Sequence, residues 1–158
     1  MGRDMFAGAP SRPAPETSPA PAPKFRLPDG WSEAEPVRFS RLTFEVRDGQ
    51  QQVKITVTDL PAASNPLLDN VNRWRGMMQL PPLAEAELPQ QVRSIQVDDV
   101  SGSYVELSTP AEAAKPQALL GVVAYRGDQA WFVKLQGDAT LASREKSRFE
   151  EFVKSLQF

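Results

Sequence analysis

Apolar and polar residues alternate in two neighbouring segments of the chain. Every second residue is apolar in "RLTFEV" (41–46) and again in "VKITV" (53–57). A period of two residues is typical of a β-strand that buries one face. Asp48-Gly49, between the two segments, is a preferred pair for a tight hairpin turn. The pattern therefore predicts a β-hairpin.

Four further segments have the character of strands. "VRSIQVDDV" (92–100) and "GSYVELS" (102–108) predict a second hairpin, with its turn at Ser101-Gly102. "ALLGVVAY" (118–125) is almost wholly apolar, which is typical of a central strand that is covered on both faces. A turn at Arg126-Gly127-Asp128 then leads into "QAWFVKLQG" (129–137).

One segment between the hairpins has the period of a helix. Its apolar residues are spaced four, three and four positions apart, which places them on one helical face: Leu67, Val71, Trp74 and Met78. Asn65 is the expected N-cap, and Pro66 suits the first helical position. Pro81-Pro82 is expected to end the helix.

The C-terminal segment predicts a second amphipathic helix. Its apolar residues follow the i, i+3, i+4, i+7 pattern: Phe149, Phe152, Val153 and Leu156. Asp138 is a candidate cap for the first turn. Each helix has a single apolar stripe, so each must bury that stripe against the sheet. The predicted fold is α+β, an antiparallel sheet of about six strands packed by a central helix and a C-terminal helix.

The first 23 residues differ in composition from the rest of the chain. They are rich in proline and alanine, and proline lacks the N–H donor that helices and sheets need. We expect residues 1–23 to form a disordered leader and residues 24–158 to form a single α+β domain. The leader would be either a spacer that holds the domain away from another structure or a tail without a function. It lacks the apolar region of a signal peptide.

The composition argues against most catalytic chemistry. The chain has no cysteine and no histidine, which excludes Ser-His and Cys-His catalysis and removes the usual ligands of zinc and haem. We therefore expect no enzyme activity, no cofactor and no metal site. A formal net charge of −2 gives no overall basic field that would attract nucleic acid. No apolar run is long enough to span a membrane.

Asp98-Asp99 is a paired carboxylate, which raises the question of a cation site. Neighbouring residues of a strand point to opposite faces of the sheet, so two adjacent strand carboxylates do not chelate one ion. No further acidic residues follow at the spacing of a calcium loop. We expect no metal site at this pair.

The polar residues within "NVNRWRG" are the candidate binding site. Trp74 belongs to the apolar stripe of the predicted helix and is expected in the core. Arg73 points away from that stripe, with Asp69 one turn before it, whereas Asn72 and Arg75 lie on its shoulder beside the sheet. The side chains of Asn72, Arg73 and Arg75 would either make structural hydrogen bonds and salt bridges or contact a partner or an anionic ligand.

Four stretches resemble a family of uncharacterised bacterial envelope proteins: "LPDGW", "NVNRWRGMMQLPPLAEAEL", "AWFVKLQGD" and "FEEFVKSLQF". The resemblance covers Phe25 to Phe158, and the "NVNRWRG" run followed by Leu-Pro-Pro is its specific part. Family members carry a lipoprotein-type signal and a Pro/Ala-rich spacer before one such domain. The order of elements and the "WFVKLQG" strand are also similar to PsbP/Mog1-like domains. The resemblance implies an exported or membrane-tethered, non-catalytic domain, although residues 1–23 contain neither an export signal nor a lipidation cysteine.

These features favour two functions, and a hydrolase that uses Asp or Glu pairs is a weaker third alternative. The first is a non-catalytic binding or accessory module in the periplasm or cell envelope, with an unknown protein partner. The second is a domain that binds a small anionic ligand or a lipid in a cleft between the motif helix and the sheet, where Arg75 would clamp the anion. In neither case is the chain expected to bind nucleic acid or to insert into a membrane.

Overall fold

The alternating segments form one open antiparallel sheet. The computed structural model describes residues 22–158, so the predicted leader lies outside the described residues except for Ala22 and Pro23. The strands are β1 (Ser32–Glu33), β2 (Ser40–Asp48), β3 (Gln51–Pro61), β4 (Arg93–Val97), β5 (Val100–Ser108), β6 (Gln117–Arg126) and β7 (Gln129–Asp138). The described part therefore has seven strands, one more than the sequence predicts. The extra strand is β1, whose two residues are too few to show an alternating pattern.

The strands lie in the order β1-β2-β3-β7-β6-β5-β4, and every neighbouring pair is antiparallel. Hairpins join β2 to β3, β4 to β5, and β6 to β7, as the sequence predicts. β3 and β7, which are distant in sequence, pair from Val53↔Gly137 to Pro61↔Gln129. This pairing places the polar face of one hairpin beside that of the other.

The helices pack on opposite faces of the sheet. They are α1 (Leu67–Met77), the short α2 (Leu88–Gln91) and α3 (Ala139–Ser155). In β6, Leu120 and Val122 pack in the α3 cluster, whereas Leu119 and Val123 pack in the α1 cluster. The prediction that this strand is covered on both faces is therefore confirmed. Within residues 22–158, no helix combines the length and apolar character that crossing a membrane requires.

The core beneath α3 is rich in aromatic residues. Phe152 lies near its centre, with its ring centroid 5.1 Å from that of Trp31 and 5.7 Å from that of Phe44. The indole nitrogen of Trp31 donates a hydrogen bond to the buried Glu145 carboxylate at 2.9 Å. At the start of α3, the Asp138 side chain accepts a hydrogen bond from the Leu141 amide at 2.9 Å, which confirms the predicted cap.

The second hairpin turns at Asp98-Asp99 and not at Ser101-Gly102 as predicted. Asp98 has a φ of 53°, a left-handed conformation that Asp adopts more readily than most residues. Gly102 instead lies within β5, where an added Cβ would be 3.0 Å from the Val122 side chain. Gly102 is needed for close packing and not for a turn. The sequence pattern alone does not distinguish these two roles of a glycine.

The start of α1 also differs from the prediction. Pro66 occupies the N-cap position and the helix begins at Leu67, so Asn65 is not the N-cap. The Asn65 side-chain amide donates a hydrogen bond to the carbonyl oxygen of Pro61 at 2.8 Å. Asn65 therefore stabilises the turn that precedes the helix.

Candidate functional site

A groove of about 520 Å³ opens between α1 and the sheet. α1 forms one wall, β3 and β7 form the floor, and the loop before β2 lies on the other side. Its volume is within the range of sites that bind small molecules.

Four cationic side chains line this groove: Arg38, Lys54, Arg73 and Lys134. Among the residues that the structure describes, no carboxylate lines it, and none of these four cations forms an ion pair. Like charges that share a site disfavour one another's charged form, and a nearby opposite charge favours it. The groove therefore has the electrostatics of an anion site.

The strand register places the two lysines on the floor of the groove. Lys54 of β3 pairs with Gln136, and the next residue on the same face, Thr56, pairs with Lys134 of β7. The two lysines are thus diagonal neighbours on one face, a relationship that separates their Cα atoms by about 7–8 Å. Both lysine side chains therefore face the groove from neighbouring strands.

Glu45 is the acidic residue that pairs with Lys54 across β2 and β3. Its carboxylate accepts hydrogen bonds from Arg47 at 2.8 Å and from Gln52 at 3.2 Å. The pKa of Glu45 is lowered by the hydrogen bond from Arg47 first, and the charges of Arg47 and Lys54 lower it further. Glu45 therefore balances part of the Lys54 charge from outside the groove, which leaves Arg73 and Lys134 as the stronger anion-binding pair.

Lys134 is a partly buried cation on the floor of the groove. Lys134 pairs with Thr56 of β3 on one side and with Gly121 of β6 on the other, so it belongs to a central strand of the sheet. Burial lowers the pKa of Lys134, and the nearby charge of Arg73 lowers that pKa further. An anion bound between Lys134 and Arg73 would oppose both effects, because it favours the charged form of each group.

The wall beside Lys134 is apolar. Trp74 is 3% exposed, which confirms its predicted place in the core, and its ring packs over Gly121 of β6. The ring also meets Phe132 edge-on, with the centroids 6.3 Å apart. Met77 lies one turn further along α1 at the groove, 42% exposed. The groove thus combines a cationic floor with an apolar wall, as a site for an anion with an apolar part requires.

The structure separates the three predicted binding residues. The Asn72 side chain exchanges two hydrogen bonds with the backbone of Leu83, donating to its oxygen at 3.1 Å and accepting from its nitrogen at 2.7 Å. Arg75 donates to the carbonyl oxygen of Pro81 at 2.7 Å. Asn72 and Arg75 therefore hold the segment that follows α1, and of the three predicted residues Arg73 alone lines the groove.

Arg73 bonds to Asn70 rather than to the expected Asp69. Its guanidinium donates to the Asn70 side-chain oxygen at 2.6 Å, and the Asn70 amide donates to the Pro66 carbonyl at 2.9 Å. Asn70 is 1% exposed and uncharged. The hydrogen bond therefore positions the guanidinium of Arg73 without neutralising it.

Sequence reasoning missed Arg38, Lys54 and Lys134 as site residues. Each lysine occupies the polar face of an alternating strand, "VKITV" or "WFVKLQG", where a lysine is ordinarily solvated. That shared polar position was the available signal. The two lysines meet because β3 pairs with β7, and α1 then crosses beside them.

No protein-family model and no curated protein matches this sequence. Among solved structures, the fold is similar to that of LpqN from Mycobacterium tuberculosis, which is involved in cell envelope biogenesis. The sequence identity is 9%, the TM-score is 0.52, and the match covers 89% of this chain and 87% of LpqN. A structure from Bacteroides thetaiotaomicron is also similar, with 12% identity, a TM-score of 0.48 and coverage of 84% of this chain. This chain spans 43% of that Bacteroides protein.

At such low identity, the similarity to LpqN concerns the fold. The two chains share a similar fold over most of their lengths. The class that the structure defines is an α+β domain, with one open antiparallel sheet of seven strands in its described part and helices on both faces.

Proposed function

We propose that this chain is a non-catalytic binding module of a bacterial cell envelope, and that its groove holds an anionic ligand with an apolar part. The observation that carries this proposal is the grouping of Lys54, Arg73 and Lys134 beside the Trp74 wall, with no carboxylate among the described lining residues. These are the polar and apolar groups that such a ligand needs, on elements that the sheet holds in place.

The residues of the groove favour binding over catalysis. The whole sequence lacks histidine and cysteine, the commonest general base and the strongest side-chain nucleophile. Lys134 has a lowered pKa, but no carboxylate or tyrosine lines the groove within the described residues to serve as its acid–base partner. Cations without such a partner attract and orient an anion.

The envelope location is proposed on two grounds. The "NVNRWRG" and Leu-Pro-Pro motif resembles that of uncharacterised envelope proteins with a PsbP/Mog1-like order of elements. The fold is also similar to that of LpqN, a protein involved in cell envelope biogenesis. An unknown protein partner stays a prediction. Since Asn72 and Arg75 are engaged within the chain, Arg73 is the motif residue whose guanidinium is best placed for such a contact.

Calorimetric titration with hexyl phosphate would test the groove. Inorganic phosphate and hexanol, the two halves of this probe, would show whether the charge and the apolar part both contribute to binding. The test variant is Lys54→Gln with Lys134→Gln. The matched control is Lys115→Gln with Lys154→Gln, which removes the same charge from two exposed positions outside the groove.

We expect hexyl phosphate to bind the wild type more tightly than either half does. The groove variant should lose at least tenfold in affinity, and the control variant should change little. Equal losses in both variants, or no binding of hexyl phosphate to the wild type, would overturn the proposal.

A further inference from the structure

Exposed apolar side chains gather at the mouth of the groove. Among the described residues, five large hydrophobic side chains are exposed, and three of these are Val37, Phe39 and Met77. Val37 and Met77 line the groove from opposite sides, one from the loop before β2 and the other from α1. Phe39 belongs to the same turn as Val37, which the Ser40 amide closes by donating to the Val37 oxygen at 3.0 Å.

Phe39 is unfavourable both in its backbone and in its exposure. Its φ of 68° is in the left-handed region, where a bulky side chain is strained. Its side chain is nevertheless 66% exposed, so burial in this chain does not offset the strain. Strained residues of this kind concentrate at functional sites. The conformation of Phe39 is therefore explained best by a surface outside the chain that receives its ring.

A cation accompanies this ring. The Arg38 guanidinium lies over the Phe39 ring, 4.9 Å from its centroid, and Arg38 also lines the groove. An aromatic ring beside a cation suits the interface of an anionic bilayer, where the ring enters the head-group region and the cation meets lipid phosphates.

We propose that Val37, Phe39 and Met77, here called the apolar rim, dock this domain on the surface of an anionic lipid bilayer. The groove then receives the phosphate head group of a lipid at that surface. This inference rests on the proposed function, because Lys54, Arg73 and Lys134 of the groove supply the charge that the head group meets.

The distribution of charge favours a bilayer as the occupant of the rim. The whole chain has 18 basic and 20 acidic side chains, so it has no overall attraction to anionic lipid. Salt screens charges beyond about 8–10 Å, so the side chains nearest the bilayer decide the attraction. In the loop before β2, the negative charge of the exposed Glu35 offsets the positive charge of Arg38. The net attraction to anionic lipid therefore comes from the other cations of the groove, Lys54, Arg73 and Lys134. Docking would therefore occur with the groove facing the lipid.

Co-sedimentation with phosphatidylglycerol vesicles would test the docking, with phosphatidylcholine vesicles as the uncharged arm. The test variants are Phe39→Asn, since Asn tolerates the left-handed backbone, and Met77→Gln, since Gln suits a helix. Leu27→Asn is the control. Leu27 is also an exposed apolar residue, at 40%, but it follows Arg26, whose amide is bonded to Ser155 of α3 on the other face of the sheet.

We expect the wild type to bind phosphatidylglycerol vesicles and not phosphatidylcholine vesicles. Phe39→Asn and Met77→Gln should each weaken this binding at least fivefold. Phe39 does not line the groove, so Phe39→Asn should also retain the solution affinity for hexyl phosphate. Leu27→Asn should behave as the wild type. The unfolding midpoint of Phe39→Asn should not fall, which separates lost docking from lost folding.

Any one of four results would overturn the inference. The wild type would bind hexyl phosphate but not the vesicles, and the proposed function would then stand alone. Alternatively, the rim variants would bind the vesicles as tightly as the wild type, or they would change only the self-association of the chain. If the wild type bound neither hexyl phosphate nor vesicles, both the inference and the proposed function would fall.

Discussion

The indole of Trp74 occupies the space that a side chain on Gly121 would need. A Cβ built on Gly121 would lie 2.3 Å from Cζ3, 2.7 Å from Cε3 and 2.8 Å from Cη2 of the Trp74 ring. A rigid ring does not yield as the end of a flexible side chain does. The glycine of β6 therefore sets how closely α1 approaches the sheet, and with it the width of the groove that Trp74 and Lys134 share.

Gly121→Ala should destabilise the fold. The added methyl group forces α1 away from the sheet, an overpacking that typically costs about 1–3 kcal/mol. The same shift should weaken binding of hexyl phosphate. Urea denaturation measures the first effect and calorimetry the second. Gly76→Ala in α1 is the control, because its new Cβ meets nothing within 4 Å and should stabilise the helix by about 0.5–1 kcal/mol. Equal stabilities for the two variants would show that Trp74 is not seated on Gly121.

Asn72→Ala should lower stability and spare the groove. The substitution leaves the backbone groups of Leu83 without their partner, at a cost of about 1–3 kcal/mol. Asn72 does not line the groove, so the affinity for hexyl phosphate should be retained. Denaturation and titration on the same sample would show both effects. If Asn72→Ala left the stability unchanged but lost a protein that the wild type captures in a pull-down from native membranes, Asn72 would instead be a partner contact.

Glu145→Ala should loosen the segment that precedes the sheet. Glu145 is 1% exposed, and it accepts hydrogen bonds from the Trp31 indole at 2.9 Å and from Arg148 at 2.8 Å. Removing this acceptor leaves a buried indole N–H unpaired, at a cost of about 1–3 kcal/mol. Trp31 fluorescence should also change towards that of a hydrated indole. Unchanged fluorescence and stability would count against this buried contact.

The affinity for hexyl phosphate should fall as the pH rises, earlier than it would at an ordinary lysine. Burial and then Arg73 lower the pKa of Lys134 from 10.5, so Lys134 loses its charge at a pH below that value. The probe remains dianionic, since the second pKa of such a phosphate is about 6. Titrations from neutral pH towards 10.5 would follow the loss. Lys134→Arg keeps its charge over this range, so its affinity should fall less than that of the wild type, and a parallel fall in that variant would contradict the role of Lys134.

The same shift has a consequence for stability in the absence of ligand. Because the folded state lowers the pKa of Lys134, it favours the neutral side chain and disfavours the charged one. The contribution of Lys134 to stability should therefore improve as the pH rises from the lowered pKa towards the unfolded value of 10.5. Replacing Lys134 by Gln should remove this dependence, as denaturation at several alkaline pH values would show.

Local periodicity was enough to predict most of the elements. The three hairpins, α1 and α3 are in place because alternation and helical spacing depend on residues near one another in sequence. The turn at Asp98-Asp99 was not predicted, because glycine favours turns and the sequence therefore indicated a turn at Ser101-Gly102. Gly102 is a glycine for another reason, since a side chain there would crowd Val122. Short elements such as β1 carry too few residues for a pattern.

The site could not be predicted in the same way. Lys54 and Lys134 belong to hairpins that are distant in sequence, and each resembles an ordinary solvated strand lysine until β3 pairs with β7. Trp74 was correctly placed in the core by its helical spacing. Arg75 was expected beside the sheet, but the chain after α1 returns close enough for its Pro81 carbonyl to engage the guanidinium. Such contacts depend on loop conformation, which hydrophobic patterns do not specify.

Binding of an anion with an apolar part between α1 and the sheet carries both proposals. Its most direct test is a titration of isotope-labelled protein with hexyl phosphate, followed by NMR. The largest chemical-shift changes should occur at the backbone amides of Thr56 and Lys134 and at the indole N–H of Trp74. The chemical shift of the Trp31 indole N–H should not change. Changes that centre on the α3 face, around Trp31 and Arg148, or no changes at all, would contradict binding in the groove.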